Sequence, residues 1–336
     1  DRAKLVWDDR QSGKRYELDN LSLKTGAIAS GREVPVDLAL LLKSTAPAQT
    51  LDFELTANVT ANDEFTRIQI TDLVTRLAAA GEGLPSGGLD LETAANVDFD
   101  NDAGTISVSD LAVSGPNFQL TGGLSGKGLT GTPSFDGNFK LAESDLKQLI
   151  ALGGPAPVTA DPAALTRVSA EFGVQASDKS AALKPFTVKL DDSTFTGDFS
   201  VTSFEGPALR FALNLDQIDL DRYLPPGAEG EAAEQVADSA PTEKPAGDPP
   251  AALRPLDLAR KIKIGKLKVA NLNTTDIAVD IKSHGGVLTV NPFTANLYEG
   301  KVAGNIRVDA GQKVPQIAIK NALDGIQIGP LLTDLS

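Results

Sequence analysis

The residues of this chain best suited to chemistry are aspartates, and their densest run is residues 98–104, which read DFDNDAG. Acidic oxygens at alternate positions are how calcium-binding loops collect their ligands. The EF-hand pattern fails, however, because its glycine position holds Ala103 and its closing glutamate position holds Ser109. The run therefore predicts an acidic hairpin turn between two strands, which is a commoner use of Asp and Asn.

A second acidic group consists of Asp216, Asp219 and Asp221, which could be proposed as paired carboxylates for acid–base catalysis. No neighbouring residue would orient a base, so the favoured interpretation is a helix N-cap with solvated neighbours. Residues 126–131, GKGLTG, match the letters of a dinucleotide-binding loop. A strand is predicted after Pro133, where a phosphate-binding helix would have to begin, so we reject that interpretation.

The remaining nucleophiles and metal ligands are scarce. The 336 residues include no cysteine and one histidine, His284, which excludes thiol nucleophiles, disulfides, thiolate zinc sites and histidine clusters. His284 stands in a glycine turn and is expected to be solvated. Trp7 and Tyr223 are interpreted as sheet-packing or edge residues. We therefore predict no catalytic residue, no metal, no cofactor and no enzymatic activity.

The charge balance restricts the partners. With 31 Lys and Arg against 45 Asp and Glu, the net charge is −14, which argues against nucleic-acid binding and against broad electrostatic docking on anionic lipid. The longest purely apolar run, residues 38–42, is far shorter than the ~20 residues of a membrane-spanning helix. Because the sequence contains no Met, we expect it to be a segment of a longer protein, with any signal peptide or anchor cut away.

Apolar residues recur at every second position, which predicts half-buried antiparallel strands. The clearest runs are residues 183–190, 195–201 and 209–215. A change of phase at Gly265 predicts a β-bulge, which would curl the sheet. Helical spacing predicts only short helices, at 71–80, 144–152 and 219–224, and these are too few to cover a large sheet.

An internal repeat organises these strands. Residues 185–187 and 292–294 both read Pro-Phe-Thr, and the offset of 107 between them also aligns Gly197 with Gly304. A weaker copy lies 75 residues upstream of the middle one, and stacked copies predict a quasi-linear sheet. The predicted division is an N-terminal β segment with a short helix (1–82), β repeat 1 (83–152), β repeat 2 (153–224), a proline-rich acidic disordered linker (225–255) and β repeat 3 (256–336).

The alternation also predicts a continuous apolar stripe on one side of the sheet. It consists of Phe186, Val188, Leu190, Phe195, Phe199, Val201, Phe293, Leu297, Val302 and Ile306. One interpretation is that the sheet folds onto itself as a closed sandwich with a dry core. The other is that it curls only partway and leaves an elongated trough into which acyl chains fit. The fold class is accordingly mainly β, an elongated, curled antiparallel repeat sheet forming an open trough or a partly closed sandwich, with a few short helices.

Five stretches of the sequence resemble the AsmA family of Gram-negative envelope proteins. They are residues 7–13 (WDDRQSG) leading to 21–26 (LSLKTG), residues 215–226 (LDQIDLDRYLPP), and residues 296–300 (NLYEG) followed by 326–332 (IQIGPLL). The resemblance implies a periplasmic β-rich body, an inner-membrane anchor elsewhere in the full-length protein, and a role in outer-membrane assembly and phospholipid homeostasis. It also implies similarity to bridge-like lipid transfer proteins, whose curled sheets shelter lipid tails.

Two functions from different classes follow. The first is a periplasmic segment that supports outer-membrane assembly and phospholipid transport by sheltering acyl chains on the apolar stripe, with no covalent chemistry. The second is a structural scaffold that binds no lipid and recruits outer-membrane assembly proteins through its linker or its sheet edges. Phospholipid acyl chains are thus the first expected partner, and assembly proteins are the second.

Overall fold

The computed structural model describes residues 3–9, 11, 13–85, 87–204, 208–226, 257–309 and 316–334. Strands make up 69% of it, and the described helices are short, so the prediction of a mainly β, mostly antiparallel fold with few helices is confirmed. The predicted linker at 225–255 lies, apart from Pro225 and Pro226, outside the described residues. The chain divides into two compact units, residues 1–156 with 169–171 (unit 1) and residues 157–168 with 172–336 (unit 2).

Unit 1 is a meander in which each strand from β1 to β9 pairs antiparallel with the next. The strands are long, and short turns join most of them, which is typical of antiparallel hairpins. Their bounds are β1 (Ala3–Asp9), β2 (Lys14–Thr25), β3 (Val34–Thr45), β4 (Ala48–Ala61), β5 (Arg67–Gly81), β6 (Leu89–Asp100), β7 (Thr105–Gly115), β8 (Phe118–Lys127) and β9 (Ser134–Ser144), followed by helix α1 (Leu146–Ala151).

Unit 2 continues the same construction with one exception. Strands β11 to β13 and β14 to β18 pair antiparallel in chain order, whereas β13 and β14 are parallel neighbours. Parallel neighbours need a long connection, and residues 220–256 separate these two strands. The bounds are β10 (Val168–Ser177), β11 (Ala181–Leu190), β12 (Ser193–Val201), β13 (Ala208–Asp219), a 3-10 turn (Leu220–Tyr223), β14 (Asp257–Val269), β15 (Leu272–His284), β16 (Val287–Leu297), β17 (Gly300–Asp309), β18 (Gln316–Asp324) and helix α2 (Ile328–Asp334).

Each copy of the repeat ends in the same order of elements, three antiparallel strands followed by a short helix. The copies are β7–β9 with α1, β11–β13 with the 3-10 turn, and β16–β18 with α2. In the second and third copies the register shifts at equivalent prolines, Pro185 and Pro292. Proline has no backbone N–H to donate, so it is tolerated in a strand where the ladder is already interrupted.

Of the three predicted helices, one is absent, one is present and one is a 3-10 turn. Residues 71–80 do not form a helix, because they lie within β5 and pair with β4 and β6 along their length. Pairing on both sides outweighs the helical preference of an alanine-rich run. The helix predicted at 144–152 is present as α1, whose N-cap Asp145 accepts from the backbone amide of Gln148. The segment 219–224 forms the 3-10 turn, with Asp219 as its N-cap.

The bulge predicted at Gly265 is also wrong. Leu215 pairs with Ile264 and Gln217 with Lys266, so β14 passes Gly265 without a shift of register. A side chain at this position would instead collide with the carbonyl oxygen of Asp216 on β13, which is why glycine is required. The register shifts lie elsewhere.

Several shifts occur at aspartates with left-handed backbone. Asp72 (φ 51°), Asp110 (φ 53°) and Asp276 (φ 51°) each lie inside a strand next to a register shift. An asparagine on a neighbouring strand binds each one: the Asn96 amide donates to Asp110 over 2.9 Å, and the Asn296 amide donates to Asp276 over 2.8 Å. Asp and Asn tolerate this conformation, so these pairs fix the positions at which the strands bend.

The buried core is small. Among the described residues, the buried apolar side chains include Val34, Leu215 and Ile277, and most of the others are alanines. Among the described residues that are less than 2% exposed, the largest is Ser283, a small polar residue. A closed sandwich of this size would bury many large apolar side chains. The described residues do not show such a dry interior.

Candidate functional site

The strand register places all ten predicted stripe residues on one face of unit 2. Phe195 pairs with Val188 on β11 and with Leu215 on β13, and Phe199 pairs with Phe211. Directly paired residues point to the same side of a sheet, and alternate residues of one strand share that side. Phe293 reaches the same face through its pairing with Val279 on β15.

We call this surface the unit-2 face: the side of β11–β18 that carries Phe199, Phe211, Ile281, Phe293 and Ile306. All ten stripe residues are half-exposed, and none is buried. At the β18 margin the exposure is greater, with Ile319 at 59%. An apolar surface of this extent, left half-exposed, is typical of a site that binds an apolar ligand or partner. Lipid binding by these residues remains a prediction.

Sequence reasoning missed an equivalent surface in unit 1. Leu40 pairs with Phe53, Phe53 with Leu77, and Leu77 with Leu91, so one apolar row crosses four strands. We call this side of β2–β8 the unit-1 face. The alternation at Leu51, Phe53 and Leu55 carried the signal. This signal is obscured in the neighbouring strands. Residues 38–42 are apolar at every position, so they do not alternate, and the spacing of residues 71–80 predicts a helix.

The three aspartates considered for acid–base catalysis have structural roles. The carboxylate of Asp221 accepts from the backbone amides of Ala270 (2.6 Å) and Asn271 (2.9 Å), which form the left-handed turn between β14 and β15. Asp219 caps the 3-10 turn. Asp216 accepts from the amide of Thr194 over 2.7 Å, and although burial raises its pKa, backbone hydrogen bonds lower the pKa below its usual range overall. Held as acceptors, these groups are not arranged as an acid–base pair.

Polar contacts fasten the 3-10 turn to the adjacent segments of unit 2. The Arg222 guanidinium donates to Asp161 over 2.7 Å and to Asp192 over 2.9 Å, which raises its pKa. The Tyr223 hydroxyl donates to Asp191 over 3.0 Å, and burial together with this carboxylate raises the pKa of Tyr223 to about 12. These contacts hold the end of the middle repeat.

The third repeat has the same Tyr–Asp hydrogen bond, but the two residues exchange positions between the turn and the helix. In the second repeat, Tyr223 lies on the 3-10 turn and Asp191 on the turn between strands. In the third, Tyr298 lies on the turn between strands and donates over 2.6 Å to Asp334 on helix α2. Burial and the Asp334 carboxylate raise the pKa of Tyr298. In the second and third repeats, a Tyr–Asp hydrogen bond thus ties the terminal helical turn to the turn between the first two strands of the repeat.

The other sequence candidates lie at turns and edges. Asp100 accepts from the amide of Ala103 in the acidic turn between β6 and β7, as expected for a hairpin turn. Strand β9 follows the loop at 126–131, so no phosphate-binding helix begins there. His284 is exposed at the end of β15. Trp7 is 65% exposed and packs against Tyr16, with ring centroids 5.9 Å apart.

Two groups of long, mainly antiparallel strands, each with an apolar face, define a β protein built from repeated strand units. The profile of the AsmA family matches residues 4–336, and the chain belongs to this family. It is 25% identical over 168 residues to the protein AsmA of Escherichia coli (strain K12), an alignment that covers 47% of this chain and 27% of that protein. No solved structure matches the chain.

The aligned region is therefore about a quarter of the relative's length. Among the described helices, α1 and α2 have six and seven residues, and none has the length and apolar character needed to cross a bilayer.

Proposed function

We propose that this chain is the periplasmic part of an AsmA-like envelope protein that supports outer-membrane assembly and phospholipid transport. Its apolar faces shelter acyl chains while head groups stay in water. In the full-length protein, a segment outside this chain anchors it in the inner membrane. Membership of the AsmA family supports the envelope role. The half-exposed unit-2 face supports the lipid role, since it carries large apolar side chains that the described residues leave partly exposed.

The energetics favour this use of the face. Each buried methylene is worth about 0.8 kcal/mol, so an acyl chain of about sixteen carbons in water is unfavourable by on the order of 10 kcal/mol. A chain lying on the unit-2 face replaces its water contacts with Phe199, Phe211 and Phe293. Moving an acyl chain from water to this face lowers its free energy and makes or breaks no covalent bond, so it needs no catalytic residue.

The direct test is to purify the chain from a bacterial host and identify the extracted lipids by mass spectrometry. We expect co-purifying phospholipid, and Phe199→Glu and Leu190→Arg should each reduce it at least about tenfold, since a charge in an apolar contact is costly. Thr196→Glu is the matched control, because Thr196 lies on β12 beside these positions but points to the opposite face. It should leave the bound lipid unchanged.

Thermal unfolding of each variant separates lost binding from lost folding. Absence of phospholipid from a folded wild-type chain would refute the lipid role. If envelope function also survived Phe199→Glu and Leu190→Arg, the scaffold interpretation would replace it. The scaffold would be supported by a dry packed interior, which the described residues do not show.

A further inference from the structure

Arg260 on β14 lies within the unit-2 face. It pairs with Phe211 on β13 and with Ile281 on β15, and so belongs to one row of residues that crosses the sheet. From β11 to β18 this row is Leu183, Phe199, Phe211, Arg260, Ile281, Val290, Ile306 and Ile319. Seven of its eight positions are apolar, and the eighth is a cation.

The guanidinium of Arg260 has no counter-charge in the described part of the chain. Its central carbon lies 4.7 Å from the ring centroid of Phe211, and its Nε atom is buried without a hydrogen-bond partner. Burial lowers the pKa of Arg260, and no carboxylate among the described residues offsets it. Arg260 as a whole is half-exposed, but a partly buried cation without a counter-charge is unfavourable, so an anion bound at this position would stabilise it.

Ser283 adds a second unpartnered polar group at the same place. Its side chain is 1% exposed, and its Oγ has no hydrogen-bond partner. The pair Leu258–Ser283 is next to the pair Arg260–Ile281, so Ser283 lies diagonally from Arg260 within reach of a long side chain. Buried polar atoms are nearly always hydrogen-bonded. Within the described residues, the two exceptions lie together, near the start of β14.

We propose that Arg260, with Ser283 beside it, binds the phosphate of an anionic phospholipid whose acyl chains lie on the unit-2 face. The inference rests on the proposed function and adds the lipid class. A guanidinium binds phosphate through two parallel hydrogen bonds. The phosphate of phosphatidylglycerol carries an uncompensated charge, whereas that of phosphatidylethanolamine has its own ammonium nearby. The site therefore favours the former.

The net charge of −14 does not oppose this contact. Repulsion from an anionic membrane acts through solvent and is screened beyond about 8 Å at physiological ionic strength. Arg260 acts on a single lipid at contact distance and beside an aromatic ring, where screening is weak. The acidic surface thus discourages binding to the membrane as a whole, while the face remains selective for one anionic molecule.

The test is to incubate the purified chain with vesicles of equal phosphatidylglycerol and phosphatidylethanolamine, re-isolate it, and quantify both lipids by mass spectrometry. We expect about tenfold enrichment of phosphatidylglycerol, the ratio that one charge-assisted hydrogen bond supplies. Arg260→Gln should abolish the enrichment and keep the total lipid. Arg210→Gln, on the adjacent strand and the opposite face, should change neither.

Arg260→Met provides a readout that does not depend on the enrichment. Removing a partly buried cation that has no counter-charge among the described residues should raise the melting temperature of the lipid-free chain, and phosphatidylglycerol should then stabilise wild type but not the variant. Equal lipid ratios in wild type and Arg260→Gln, with lipid bound to both, would overturn the inference and leave the proposed function intact. A folded wild-type chain that binds neither lipid would refute the proposed function itself.

Discussion

The apolar faces of the two units are built alike but differ in charge. From β3 to β8, the register places only apolar and uncharged side chains on the unit-1 face within the described residues. The unit-2 face has the same alternation but carries Arg260 in its central row. Under the proposed function, the uncharged face would hold acyl chains of any lipid, whereas the face with Arg260 would also select a headgroup. The comparison separates general lipid sheltering from lipid selection.

The polar contacts of the units differ as well. In unit 1 they cross the sheet in the middle of the strands, where Asn58, Asp72, Asn96 and Asp110 are linked from β4 to β7. In unit 2 the densest contacts lie at the end of the middle repeat, around Arg222. Side-chain hydrogen bonds therefore stabilise unit 1 in the middle of its strands and unit 2 at the end of its middle repeat.

The largest expected effect comes from a charge placed on the unit-1 face. We expect Phe53→Glu to reduce total bound lipid by roughly tenfold while leaving the ratio of phosphatidylglycerol to phosphatidylethanolamine unchanged, because under the proposed function Phe53 contacts acyl chains and no headgroup. Mass spectrometry of the extracted lipids measures both quantities. Thr50→Glu lies on the same strand and points to the opposite face, so it should have no effect. A changed lipid ratio in Phe53→Glu would show that the faces do not differ in selection.

The sequence predicted the unit-2 face well but not its cation. Within residues 186–190, 195–201 and 209–215 the large apolar side chains recur at every second position, so the pattern alone assigns their face. Arg260 stands among Lys261 and Lys263 and therefore resembles another solvent-facing charge. Only its pairing with Phe211 reveals its side of the sheet, and that pairing depends on the parallel contact between β13 and β14. A long-range parallel pair leaves no local signal in sequence.

The caps of the helical turns have local signals in the sequence, whereas the bends in the strands do not. The segments before α1 and the 3-10 turn carry aspartate N-caps, which are local signals. The left-handed aspartates Asp72 and Asp276 have no such signal, because the asparagines that bind them come from other strands. The sequence instead predicts a bulge at Gly265, where glycine is needed because the backbone of the neighbouring strand lies too close for a side chain.

The next prediction concerns the fastened end of unit 2. Asp191 accepts from the backbone amides of Leu165 (2.8 Å) and Thr166 (3.1 Å) and from the Tyr223 hydroxyl. Asp191→Ala leaves these donors without an acceptor, so we expect it to lower the free energy of unfolding of unit 2 by about 3 kcal/mol. Hydrogen exchange of the amides in β11–β13 measures this loss.

Asp192→Ala is the matched control, since Asp192 is the exposed neighbour whose ion pairs with Arg167 and Arg222 are worth about 1 kcal/mol at most.

The stabilising contacts of Asp191 also depend on pH. Burial raises the pKa of Asp191, but its hydrogen bonds lower the pKa by a larger amount, so the pKa lies below its usual range. Its contribution is therefore present above about pH 4 and is lost as the pH falls through the lowered pKa. Asp191→Ala should flatten the acid dependence. Equal losses in both variants would contradict this assignment.

The smallest expected effect compares the same bend in the two units. Asn96 accepts from the amide of Asp72 over 3.0 Å and donates to Asp110, whereas Asn296 donates to Asp276 alone. We expect Asn96→Ala to cost about 1.5 kcal/mol and Asn296→Ala about half as much, because one variant leaves two groups unpaired and the other leaves one. Exchange of the amides in β5–β7 and in β15–β16 measures each loss locally. If Asn296→Ala lowered the free energy of unfolding as much as Asn96→Ala, the linked contacts between strands would not explain the stability of unit 1.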